Sequence, residues 1–170
     1  KGAGDLDGHA RARAEGAAFV KGTGTNQPEG FLSTAKATTD DAARAFGAVQ
    51  YIGTGSATGL GAALEIKLID LVHSLKAGHR QGASFVMNSA TLATVRKLKT
   101  SDGAFLWQPG LVEGQPNRLL GYPVIEAEDM PDVAGGAFPI AFGNFLNGYL
   151  IAEHGATRIL RDPFTNKPFV

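Results

Sequence analysis

The clearest pattern of apolar and polar positions lies between Ser84 and Trp107. Phe85-Val86-Met87 is a short unbroken apolar run, as a strand covered on both faces requires. Asn88-Ser89 follows with side chains suited to cap a helix, and Leu92, Val95 and Leu98 then recur at helical spacing. The spacing therefore predicts a strand feeding directly into a helix. Arg96, Lys97 and Lys99 load its last turn with positive charge, where the helix dipole favours it, and residues 100–103 (TSDG) end it.

A second helix is predicted from about Leu60 to Ala77. Leu64, Leu68, Leu71, Val72 and Leu75 mark one face, Ile66 and Ile69 widen it, and Gly78 is the expected stop. An alanine-rich stretch from Leu6 to Val20 reads as the end of another helix, followed by a turn forced by Gly22, Gly24, Pro28 and Gly30. Between Thr38 and Ile52 the pattern is ambiguous, with Val49, Tyr51 and Ile52 favouring a short strand, and Gly53 to Gly61 reads as a connector. Tyr122 to Ala127 reads as a strand weakened or placed at an edge by Pro123. Phe138 to Phe142, Tyr149 to Ala152 and Ala156 to Arg161 are further strands, the last two joined by a turn at Glu153-His154-Gly155. Helices and strands mix without strict alternation, so the expected class is α+β rather than a doubly wound parallel sheet.

Composition narrows the function classes. At 170 residues the chain can bury about 70% of the surface its unfolded form exposes. It has no cysteine, which excludes thiolate metal sites, disulfides and cysteine nucleophiles. Lysine plus arginine equals aspartate plus glutamate at 16 each, without the basic surplus of a dedicated nucleic-acid binder. Glycine at 23 residues and proline at 8 point to many turns. No apolar run approaches the roughly 20 residues that span a bilayer, and the first residues carry no hydrophobic signal region, so the expectation is a soluble chain. Lys1 in place of methionine and the apolar Phe169-Val170 end lead us to expect a piece of something longer.

Candidate chemistry is sparse. Gly53-Thr54-Gly55-Ser56-Ala57-Thr58-Gly59 misses the dinucleotide fingerprint by one position, and no phosphate-binding Gly-Lys-Ser/Thr occurs. His9, His73, His79 and His154 lack metal-ligand spacing. Glu126, Glu128, Asp129 and Asp132 form one local acidic cluster that could hold a hard cation or supply paired carboxylates, but the spacing is not that of a calcium loop and a solvated turn held by Pro131 is the simpler reading. Ser84, Ser89 and Ser101 have simpler places in a strand, a cap and a turn. Phe105 and Trp107 beyond a basic helix end can stack on bases, though packing in a core or interface fits them better. No catalytic, cofactor or metal site is expected, and no enzyme activity.

Four segments in order resemble the HK97-like major capsid proteins of tailed bacteriophages: EGAAFVKGTGTNQPEGFL at Glu15–Leu32, the Ser84–Trp107 block, LLGYPVIEAEDMP at Leu119–Pro131, and PIAFGNFLNGYLIAEHGATRILRDPFTNKPFV at Pro139–Val170. Thr23 departs from the acidic residue many relatives carry in the Gly-rich turn. The resemblance implies an HK97-like α+β fold, mainly its axial domain. Residues 1–26 would be the end of the peripheral-domain helix and the Gly-rich turn, 27–155 the axial domain, and 156–170 the start of the return to a truncated peripheral domain. It also implies a non-enzymatic subunit of a phage or prophage virion, assembled in the host cytoplasm into pentamers and hexamers around DNA. Its partners would be copies of itself, with scaffold, portal and packaged DNA, and no membrane, cofactor or small-molecule substrate. The rival readings are an encapsulin-like nanocompartment shell and a small hydrolase or ligand-binding domain built on the acidic loop.

Overall fold

The computed structural model describes residues 3–61, 63–98, 107–108 and 117–152. In chain order the elements are α1 (Ala3–Lys21), β1 (Lys36–Ala37), β2 (Val49–Gln50), α2 (Leu64–Ser74), α3 (Ala77–Arg80), β3 (Ser84–Met87), α4 (Ser89–Arg96), β4 (Trp107–Gln108), β5 (Arg118–Leu119), β6 (Tyr122–Glu126), β7 (Ile140–Gly143) and α5 (Phe145–Gly148). A five-stranded sheet runs in the order β4-β5-β6-β3-β7, with β3 parallel to β6 and antiparallel to β7. Strands β1 and β2 form a separate parallel pair.

The apolar run at Phe85–Met87 is explained by cover on both faces of β3. Phe85 and Met87 face a core built with Leu64, Leu68 and Val72 of α2, Leu92 and Val95 of α4, and Leu119. Val86 points the other way, to a smaller cluster with Val20 and Met130, onto which Phe31, Leu32, Ala141 and Phe145 pack. Every residue of β3 is buried. Phe85, Tyr122 and Phe142 stack beside one another, with ring centroids 4.6 to 6.5 Å apart. The predicted cap is also present: Asn88 Oδ1 accepts from the Thr91 N–H at 2.8 Å, opening α4.

Several expectations are corrected. The helix predicted over 60–77 is α2 alone, because Leu75 and Lys76 are extended and Gly78 lies inside α3 instead of stopping the helix. Its last carbonyls are held by Arg80, whose Nε donates to Leu75 O at 2.6 Å and Nη2 to His73 O at 3.2 Å. Ile66 and Ile69 do not widen the buried face; they are 54% and 44% exposed. Strand β6 lies inside the sheet, not at its edge. Its pairing with β3 begins at Val124, so the donor Pro123 lacks falls before the first rung. A hairpin joins β5 to β6 through Leu120 and Gly121, at φ 51° and 87°, the positive values that a type I′ turn needs. Tyr149 to Ala152 is not a strand in this chain. The strand expected at 156–161 and the turn at 153–155 lie outside the described residues.

Candidate functional surfaces

The C-terminal end of α1 is fastened by the turn the glycines predict. Helix carbonyls without intrahelical partners must be satisfied from elsewhere. Here Phe31 N–H donates to Phe19 O (3.3 Å), Leu32 N–H to Val20 O (3.0 Å), Gly30 N–H to Gly22 O (2.9 Å) and Ser33 Oγ to Lys21 O (3.1 Å). This return demands glycine: a Cβ on Gly30 would sit 2.4 Å from Val20 C, and one on Gly22 would sit 2.1 Å from Pro28 O. Thr23 keeps the turn closed by bridging to Glu29 and accepting from Gln27 Nε2 at 3.0 Å. Phe31 is then held edge-on by Phe145 and Tyr149, and the Tyr149 hydroxyl donates to Glu29 O at 2.8 Å. Burial, aided by the Glu29 charge, pushes the Tyr149 phenol above its ordinary value.

The acidic residues do not converge on a site. Asp132 accepts from Asn88 Nδ2 at 2.8 Å, and the same nitrogen donates to Met130 O at 3.2 Å, so the loop is tied to the start of α4. Asp129 lies against α1, where a Cβ on Gly16 would come within 2.9 Å of its Oδ2, beside a shallow hollow lined by His9 and Arg13. Glu126 and Glu128 are exposed. Among the described residues no three His, Asp or Glu side chains are placed to share a metal ion. His9, His73 and His79 sit exposed on three different helices, and His154 lies outside the described residues.

Ser84 is buried in β3 and Ser89 opens α4, while Ser101 and Phe105 lie outside the described residues and Trp107 opens β4. At the surface Asp41 meets Arg44 and Lys76, the latter at 3.3 Å. The hydrogen bond from Lys76 holds the Asp41 carboxyl below its ordinary value against the opposing effect of desolvation, with the Arg44 and Lys76 charges adding to the lowering.

What the sequence reading missed is surface, not chemistry. Residues 53–59 flank an open, largely apolar groove of about 1000 Å³ between α2 and β7, where Tyr51 meets Phe138 edge-on at 5.5 Å. Phe46, on its lining, is fully exposed, and elsewhere on the surface Leu146 and Leu150 are 92% and 88% exposed. The absence of any charged residue from Val133 to Ala152 was the available signal.

Comparison with known proteins accounts for a protein rich in surface and poor in chemistry. The model of the phage capsid family matches residues 8–170. Among solved structures, the chain is similar to the capsid of an empty GTA particle computed with C5 symmetry, at 49% identity and a TM-score of 0.78, over 96% of this chain and 55% of that one. It is similar to the capsid of the native GTA particle, also computed with C5 symmetry, at 49% identity and a TM-score of 0.77, over 95% of this chain and 59% of that one. The chain thus spans a little over half the length of the capsid chains it matches. No curated protein matches it. The mixed sheet around β3, the glycine-locked end of α1 and a family match over nearly the whole sequence agree: the chain belongs to the phage capsid family, with its α+β HK97-like fold, and is a structural protein rather than an enzyme.

Proposed function

We propose that this chain is the repeated subunit of an icosahedral virion shell, self-associating into pentamers and hexamers that enclose DNA. The observation that carries the reading is 49% identity, at a TM-score of 0.78, to a capsid computed with C5 symmetry. A closed shell needs repeated interfaces and no active site. The acidic loop, engaged by Asn88 and α1, serves structure and not hydrolysis. On this reading residues 1–26 end the peripheral-domain helix, 27–155 form the axial domain and 156–170 begin the return. Its function lies in contact surfaces, with no catalytic, cofactor or metal site. Scaffold and portal would be its protein partners, with DNA held without sequence specificity and assembly taking place in the host cytoplasm.

The test is electron microscopy with light-scattering mass on the full-length gene product. Closed shells, or rings of five and six, are the expected result; a compact monomer under all conditions overturns it. Nuclease-protected DNA inside the shells identifies a genome container, whereas shells holding protein cargo and no DNA identify a nanocompartment of the same fold.

A further inference from the structure

The topology sorts charge between the two ends of the sheet. Strands β3 and β6 run parallel, with Phe85 beside Val124, so their starts share one end, and Met87 and Glu126 share the other. The end of β6 and the loop after it put Glu126, Glu128, Asp129 and Asp132 at that second end. Asp132 is engaged by Asn88, and Asp129 lies beside His9 and Arg13 of α1. Glu126 and Glu128 are exposed and make no ion pair among the described residues.

The starting end is basic. Helix α3, with His79 and Arg80, leads straight into β3. The hairpin at Leu120-Gly121 sets Arg118 opposite Pro123, at the start of β6. Helix α4 leaves β3 at the acidic end, yet Leu92, Val95 and Leu98 pack on the same core as Phe85 and Met87, so it runs back along the strand. Its 8 residues span about 12 Å and the 4 of β3 about 13 Å, which brings Arg96 and Lys97 level with Ser84. Lys97 and Arg118 are exposed and meet no carboxylate among the described residues. Asp41, which reaches this end, is taken by Lys76 and Arg44.

With 16 acidic and 16 basic residues the chain carries no net charge, so this sorting makes a dipole along the strands. We propose that the dipole is an assembly contact: the end of one subunit bearing Glu126 and Glu128 docks on the end of its neighbour bearing Lys97 and Arg118. The proposal rests on the shell reading above. A two-fold contact through either end would set like charge on like, whereas a head-to-tail contact uses two unlike patches and closes into rings. Pentamers and hexamers are rings of that kind. Complementary patches of charge also fix register and exclude wrong partners. Packaged DNA could use the basic end but gives Glu126 and Glu128 no role, so a second copy is the better fit.

The test is charge reversal in the full-length gene product. Glu126→Lys with Glu128→Lys, or Lys97→Glu with Arg118→Glu, is expected to raise the concentration needed for assembly about tenfold or more at low salt. All four reversals in one chain rebuild the dipole with opposite sign, and should restore assembly to within about threefold of wild type. Light scattering reads assembly, and the thermal midpoint of the dilute subunit separates a lost contact from a lost fold. Where a reversal unfolds the subunit, Glu126→Gln with Glu128→Gln removes the attraction without adding repulsion and should still weaken assembly. Reversals that assemble as wild type, or four reversals in a folded chain no better than two, overturn the contact and leave the shell reading intact. A loss confined to the basic-end variant assigns that end to DNA and overturns it as well. A wild-type chain that never assembles overturns both readings.

Discussion

The Asn88 side chain makes three separable hydrogen bonds. It is 4% exposed; its Oδ1 caps α4 and its Nδ2 donates to Met130 O and Asp132 Oδ1. Asn88→Ala loses the cap, about 1 kcal/mol. It also leaves the Met130 carbonyl, beside a side chain only 3% exposed, without its donor, at about 1–3 kcal/mol. The bond to Asp132 adds little, because that residue is exposed. The expected loss is about 3 kcal/mol, which at a urea slope of about 2 kcal/mol/M lowers the unfolding midpoint by about 1.5 M.

Two further substitutions divide that loss. Asn88→Ser keeps a capping oxygen and loses the donors, so it should recover about 1 kcal/mol relative to alanine. Asn88→Asp keeps the cap and gains from the helix dipole, but it sets a second carboxylate against Asp132 in place of a donor. Its destabilisation should therefore shrink as the pH falls into the carboxylate range, where a shared proton restores a donor, while that of Asn88→Ala should not. The assay is urea unfolding followed by Trp107 fluorescence and far-UV dichroism at neutral and mildly acidic pH. A loss below about 0.5 kcal/mol for alanine, or identical pH dependence for the alanine and aspartate variants, refutes the reasoning.

Gly30→Ala should destabilise by about 2–4 kcal/mol through overpacking and loss of the carbonyl bonds at the end of α1, checked by urea unfolding and by faster proteolysis near Lys21. Tyr149 should ionise above the ordinary tyrosine range in an ultraviolet titration compared with Tyr149→Phe; because its folded pKa is raised, its contribution to stability is present below pH 10.0 and is lost as pH rises above it. Asp41 should titrate below 3.8 by NMR, moving back toward that value in high salt; its folded pKa is depressed, so the stability it supplies is present above 3.8 and lost as pH falls through the folded value.

The parts of the fold legible in the sequence are those whose cause is local. Asn88 caps α4 with a partner three residues away, and an unbroken apolar run at Phe85–Met87 announces a strand covered on both sides. The turn after α1 was visible because only glycine admits the backbone approach at positions 22 and 30. Errors arose where the cause is distant or depends on register. The break at Leu75 is held by Arg80, which periodicity cannot register. Pro123 reads as weakening the strand or placing it at an edge, because its position before the first rung is known only once β3 and β6 are aligned. The hairpin at Leu120-Gly121 lacks the usual Asn-Gly or Asp-Gly signal, since a leucine occupies a positive-φ position. The apolar pattern at Tyr149–Ala152 has strand character and no strand partner among the described residues.

That last mismatch has a thermodynamic consequence. Among the described residues, twelve apolar side chains are buried and nine large ones are exposed, with Phe46, Leu146 and Leu150 almost wholly in solvent. If copies of the chain cover that surface, they bind the folded form and not the unfolded one, so stability must rise with protein concentration. Above the dissociation constant a tenfold increase supplies about 1.4 kcal/mol per contact partner. For a chain of this size that raises the thermal midpoint by about 3–5 °C. Calorimetry of the wild-type chain across a hundredfold concentration range, in its reversible regime, measures the effect directly. A midpoint that does not move means the exposed apolar residues are simply solvated, and that folding of the single chain is already complete.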